Sequence, residues 1–123
     1  MQKLTTSLDC VLSWEKCIGW FSAHKKIFKD LLRRNVKIRW VIERKDNSDL
    51  KKLVKRLPNS QMFMVKEMLN PPKSCLGIYD DKVLLLDTSA ASGFIKTPML
   101  WTNNPSLIVL AQNYFDMLWK QVK

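Results

Sequence analysis

A chain with one histidine, three cysteines and eleven carboxylates offers few starting points for chemistry. His24, with Lys26 and Asp30 downstream, brings an imidazole, an ammonium and a carboxylate into one segment, the set that a phosphoryl-transfer step would use. That segment reads as helix, however, and there His24 is expected on the inner face or at a contact between chains. No second histidine can serve as general acid–base, so a Ser or Cys nucleophile would lack its usual partner. Asp80 and Asp81 are adjacent, as acids at a hairpin tip often are. Glycoside chemistry would need them to face each other across a cleft. Cys10, Cys17 and Cys75 form no Cys-x-x-Cys unit, and with a lone histidine they read as small buried apolar residues. Three glycines are too few for a Gly-rich phosphate cradle. No catalytic residue, metal or cofactor is expected.

Two groupings point to binding instead. Trp101-Thr102-Asn103-Asn104 places a stacking ring and hydrogen-bonding side chains just before a helix start, which would suit a sugar or an anion. The same residues also read as a packed tryptophan and an ordinary capping sequence, and both readings stand. Trp14, at the end of the first strand, could approach the same edge, and Arg39 lies on the second strand. The second grouping is electrostatic. Lys16 to Arg56 holds fourteen Lys/Arg against four acids, which accounts for the whole net charge of +10. Lys25, Lys26, Lys29, Arg33 and Arg34 can line one helix face and meet phosphates through counterion release, or they can simply be solvated.

The elements that must carry these residues follow from periodicity. Leu8–Trp14 reads as a strand. Glu15–Arg34 reads as one helix whose inner stripe is Cys17, Phe21, His24, Phe28 and Leu31/Leu32, with Asn35 as its terminator. Val36–Ile42 alternates as a strand, and Asp49–Leu57 is a short helix capped by Ser48. Gln61–Val65 is a strand, and Glu67–Lys73, with Pro71-Pro72, is a loop. Cys75–Tyr79 and Val83–Asp87 form a hairpin through Asp80-Asp81-Lys82. Thr88–Lys96 is expected to be a mobile loop. Asn104 and Pro105 begin a final helix with the apolar stripe Leu107, Leu110, Ala111, Tyr114, Phe115, Leu118 and Trp119. Alternating strands and helices followed by a hairpin predict an α/β fold, a mixed β-sheet flanked by helices, as one domain over residues 1–123. No apolar run reaches the ~18–20 residues that cross a bilayer, and no secretory signal pattern is present. A cytoplasmic chain with no membrane partner is expected.

Leu76–Leu86, Leu100–Leu107 and Ala111–Trp119 together resemble the C-terminal effector domain of TrmB-type archaeal transcription regulators. Ser13-Trp14 and Arg34–Arg39 are similar too, and the pattern also resembles the sensor module of some archaeal histidine kinases. Both are phospholipase D-like in fold, so the resemblance implies one copy of a two-fold core and a homodimer. The catalytic signature of active members, His-x-Lys and then Asp after four residues, is missing. With Asp80 as its acid, the His and Lys places fall on Lys73 and Cys75. With Asp81 they fall on Ser74 and Leu76. The His24–Asp30 segment is one residue short of that spacing. Such regulators also carry a winged helix-turn-helix, and no such pattern precedes Leu8, so an attached or partner domain would read DNA.

The function expected from the resemblance is therefore a non-catalytic, homodimeric effector domain that senses a ligand or partner. Trp14, Arg39, Trp101, Thr102 and Asn103 would line a site for a small molecule, a sugar or an anion. The alternative is a nucleic-acid-binding protein using the basic segment 16–56.

Overall fold

Short apolar runs become the strands of one sheet, and the helices between them cover its two faces. The computed structural model describes residues 6–45, 50–70, 72, 74–87 and 99–122. In chain order the elements are β1 (Ser7–Leu12), α1 (Trp14–Ala23), α2 (Lys25–Arg33), β2 (Lys37–Glu43) and α3 (Leu50–Lys55). A 3-10 turn (Ser60–Met62) leads into β3 (Phe63–Met68), followed by β4 (Cys75–Tyr79), β5 (Val83–Asp87), β6 (Met99–Thr102) and α4 (Pro105–Gln121). The strand order is β3-β2-β1-β4-β5-β6. Strands β1, β2 and β3 are parallel, while β4, β5 and β6 each run antiparallel to the strand before them in the sheet. This is the mixed sheet flanked by helices, the α/β class, that the sequence predicts.

Strand β1 lies between parallel β2 and antiparallel β4, and it is buried along almost its whole length. Its alternate residues serve two cores. Leu8, Cys10 and Leu12 join Ile38, Trp40 and Ile42 under α1, α2 and α3. Val11 joins Val41, Leu76, Ile78 and Leu84 under α4. An aromatic cluster fills the first core, with Trp40 edge-on to Phe63 (5.0 Å between centroids) and to Phe28 (5.4 Å). The buried pair Lys16–Asp87 ties α1 to β5 on the same side.

The long helix predicted over Glu15–Arg34 is two helices. His24 (φ −124°, ψ 26°) ends α1 and starts α2. Its N–H donates to the Trp20 carbonyl (3.0 Å), and its own carbonyl accepts from Phe28 (3.0 Å). The apolar phase runs straight through this turn, because Cys17, Phe21, Phe28 and Leu31/Leu32 all face the sheet, so the pattern conceals the break. Trp14 belongs to α1 rather than to the first strand, and Ser13 caps that helix. Asn35 (φ 62°) and Asn59 (φ 53°) end their segments in the left-handed conformation that asparagine tolerates. Asp80 (φ 56°) and Asp81 (φ 58°) do the same in the β4–β5 turn.

Two further expectations are corrected. Trp101 and Thr102, read as part of a polar corner, belong to a strand, Met99–Thr102, paired with β5, as the β-propensity of Trp and Thr allows. β3 extends to Met68 and so takes in the first two residues, Glu67 and Met68, of the predicted loop. The Ser48 cap and Thr88–Lys96 lie outside the described residues. Among the described residues no helix is long and apolar enough to cross a membrane.

All three cysteines are free thiols buried in the helix-covered core. Burial pushes the Cys17 thiol up to about 12 from an ordinary 9.0, and it also raises Cys10 and Cys75. The folded state keeps protons there that the unfolded chain gives up. Stability present below about pH 9 is therefore lost as the pH rises toward 12. Urea midpoints should fall across that window and recover part of the loss in a Cys17→Ala variant. A water-soluble disulfide reagent should label no thiol of the native protein at about pH 8 and three in denaturant.

Candidate functional site

The five residues expected to share a ligand site do not converge within one chain. Trp14 sits half-buried at the first turn of α1, with its backbone N–H donating to Glu43 Oε1 (2.9 Å). It packs on the α1–α3 side of the sheet, whereas Arg39 lies on the α4 side. Arg39 and Thr102 occupy one cross-sheet row, Arg39–Asp9–Ile78–Leu84–Thr102. Four strand spacings separate them, ~19 Å. Trp101 pairs with Leu85 and is 57% exposed. Asn103 is exposed beyond the end of β6. Thr102 Oγ1 accepts from the Asn104 N–H (3.0 Å), and Asn104 Oδ1 accepts from Ser106 (2.9 Å) and Leu107 (3.3 Å). Those polar groups cap α4, which is the ordinary reading of that corner.

Arg39 is held as a structural group. Its Nε and Nη2 donate to the two oxygens of buried Asp9 at 2.9 and 2.7 Å, a two-pronged contact. Nη2 also reaches Asp116 of α4 (3.4 Å), and Gln112 Nε2 of the same helix donates to Asp9 (3.1 Å) and Asp116 (3.1 Å). The guanidinium stacks 4.9 Å from the Phe115 ring centre and 5.5 Å from that of Trp119. The hydrogen bond to Asp9 raises the Arg39 pKa and fixes its charge. Asp80 is committed as well. Its Oδ1 accepts from the N–H groups of Thr6 (2.9 Å) and Ser7 (3.0 Å), tying the hairpin to the start of β1.

The basic residues do form a surface. Lys25, Lys26 and Arg33 are exposed and Lys29 is half-buried, all within somewhat over a quarter-turn of α2 on the flank beside buried Phe28, Leu31 and Leu32. Arg34 is partly neutralised by Asp30 (3.1 Å). Asn59, just after α3, donates to the Leu32 carbonyl (2.9 Å), which brings the end of α3 beside the end of α2. Exposed Lys52, Lys55 and Arg56 thereby extend the basic field. Residues 74–87 and 99–122 carry two lysines against four aspartates, so the positive charge belongs to the half built from β1 to β3.

The α4 side has the opposite character. Beside α4 runs an apolar groove of about 650 Å³, walled by Leu76, Leu84 and Leu86 of the sheet and by Leu107, Leu110 and Tyr114 of the helix. Among the described residues, Ser74 and Tyr114 are its only hydroxyl-bearing walls. A sugar requires more polar partners than that, so the groove suits an apolar surface. The sequence pattern hides it, because the whole stripe of α4 reads as core. Ile108 and Phe115 are buried, but Leu107, Leu110 and Tyr114 are exposed.

No family model matches this sequence, and no curated protein does. The fold is similar to that of a solved structure, TrmBL2, described as an archaeal chromatin protein with a novel mode of DNA binding. The TM-score is 0.73 at 11% identity, over 99% of this chain and 46% of that one. This chain thus spans about half the length of TrmBL2, and at that identity the likeness is one of fold. It agrees at that level with the TrmB-type resemblance of the sequence.

A structural Arg39 has a measurable signature. Arg39→Ala leaves buried Asp9 without its cation and should lower stability by about 3–5 kcal/mol in urea titrations, with partial recovery on adding Asp9→Asn. A change within ~0.5 kcal/mol, the level of an ordinary surface substitution, would make Arg39 a candidate ligand contact again.

Proposed function

We propose that this chain is a non-catalytic domain of a DNA-associated regulator, with its basic face lying along a phosphate backbone and its α4 side receiving a partner. The observation that carries this reading is the segregation of charge. Seven exposed or half-exposed cations on and just after α2 and α3 form one field, while the other half of the described chain is slightly acidic. Such a surface binds through phosphates without reading bases, because flexible lysines on a helix exterior set no fixed donor pattern. The similarity in fold to TrmBL2, described as a chromatin protein that binds DNA, supports a setting on DNA. A domain that reads sequence would then be attached or supplied by a partner.

The placement of the acid–base groups supports the absence of catalysis. The single histidine, His24, lies half-buried with Nδ1 3.2 Å from the Trp20 carbonyl and its ring 5.6 Å from the Trp20 ring. Asp80 is occupied by the backbone of Thr6 and Ser7. A second reading, ligand sensing, is favoured by the apolar groove and would take an apolar effector rather than the sugar or anion that the resemblance implies.

Fluorescence anisotropy with a labelled duplex of mixed sequence tests the first reading. Binding should weaken steeply with salt. Lys25→Gln, Lys29→Gln and Arg33→Gln together should flatten the log–log salt slope by about 2–3, roughly 0.9 for each phosphate no longer neutralised. Swapping the duplex sequence should change affinity little. No binding at low salt, or a slope untouched by the triple variant, would sink the reading.

A further inference from the structure

Helix α4 carries two apolar stripes where a helix packed on a sheet needs one. The first, Ile108, Ala111, Phe115 and Trp119, faces the sheet. The second is Leu107, Leu110, Tyr114 and Met117, spaced at three, four and three residues, the a/d spacing of a seam between two helices. Its members are between 40% and 66% exposed. Leu100 of β6, also exposed, lies opposite Leu86 in the wall of the neighbouring groove and continues the patch.

We infer that this second stripe and the groove beside it form the contact for a second copy of the same chain, with α4 packed antiparallel against its own twin. The inference rests on the proposed regulator only in that a partner is expected on this side; the stripe stands without the basic face. Size is the first argument. Five large side chains at these exposures present about 500 Å² of apolar surface, taking ~200 Å² for a whole side chain. Interfaces are a little over half apolar, so the matching contact is roughly 900 Å² per partner, which a stable dimer needs. Charge is the second. A chain with net charge +10 repels its own copies, and it can approach one only through a face that lacks that charge. α4 carries one lysine and one aspartate, Lys120 and Asp116, and Asp116 is paired to Arg39. Residues beside the seam, such as Ala111 and Asn113, bring no like charges together. Two-fold symmetry does the rest, since the stripe is apolar at every position and complements itself.

Sedimentation equilibrium on the full chain, with Leu110→Glu and Val109→Glu side by side, tests this. Both residues are exposed on α4, by 66% and 57%, but only Leu110 lies on the seam. The wild type should sediment at about twice its 14.4 kDa, and Val109→Glu should do the same. Leu110→Glu should weaken association about 100-fold or more while keeping the circular dichroism of the folded chain. A wild type that stays single at high concentration, or two variants that behave alike, would overturn the inference. So would a dimer that survives Leu110→Glu. The DNA measurement separates the two readings: a monomer that still binds duplex with a steep salt slope defeats only the dimer, and a dimer that ignores DNA defeats only the basic face.

Discussion

The burial of one carboxylate organises this domain. Asp9 sits in the middle of β1, a strand covered on both faces, and it is 3% exposed. An ionised group there is costly unless it is paired and fully hydrogen-bonded. Arg39, its neighbour on β2, supplies the charge, and Gln112 of α4 supplies a further donor. Meeting this one demand fixes the register of β1 against β2 and draws α4 onto the sheet, with Phe115 and Trp119 stacked on the guanidinium. Lys66 adds a hold at the far end, donating to the Trp119 carbonyl (2.8 Å). A helix held along its Gln112–Asp116 flank by polar contacts has its opposite flank left open, and that is where the groove lies.

The same geometry separates charge from apolar surface. The parallel strands β1, β2 and β3 are linked by crossovers that place α1, α2 and α3 on one side. Those helices and the residues just after them carry the basic field on their outer faces, because their inner faces are spent on the aromatic core around Trp40. The antiparallel strands β4 to β6 are followed by one closing helix. They leave little charge on the other half of the molecule. Segregation thus follows from the order of elements, and it gives the domain two unlike surfaces suited to unlike partners.

Much of this was legible in the sequence where one period served one purpose. The β4–β5 hairpin, the Asn104 cap and the exposed lysines of α2 each follow from a local rule that tertiary structure did not override. The failures share a cause. The phase of Cys17, Phe21, Phe28 and Leu32 is continuous across His24, so no pattern marks the turn there. In α4 the two stripes run side by side, and a hydrophobicity pattern cannot say which of two adjacent faces meets the sheet. Arg39 was placed on the right strand, but its pairing was not legible, because its partner, Asp9, is thirty residues away and meets it only through sheet register. The heptad spacing of Leu107, Leu110, Tyr114 and Met117 was the available signal for the open flank.

The two surfaces also bear on each other energetically. A basic field of seven side chains, several of them on flexible stems, makes a weak and salt-sensitive contact with a polyanion. In a two-fold dimer built on α4, that field is repeated on the far side of each copy's sheet, away from the seam. Two duplex segments can then be bridged, and where both belong to one DNA molecule the second contact is gained at the effective concentration set by the DNA between them. The apolar seam would thus set the strength of the electrostatic contact without touching nucleic acid. Anything that competes for the groove would loosen both together, so an effector could act on this domain without a polar ligand pocket.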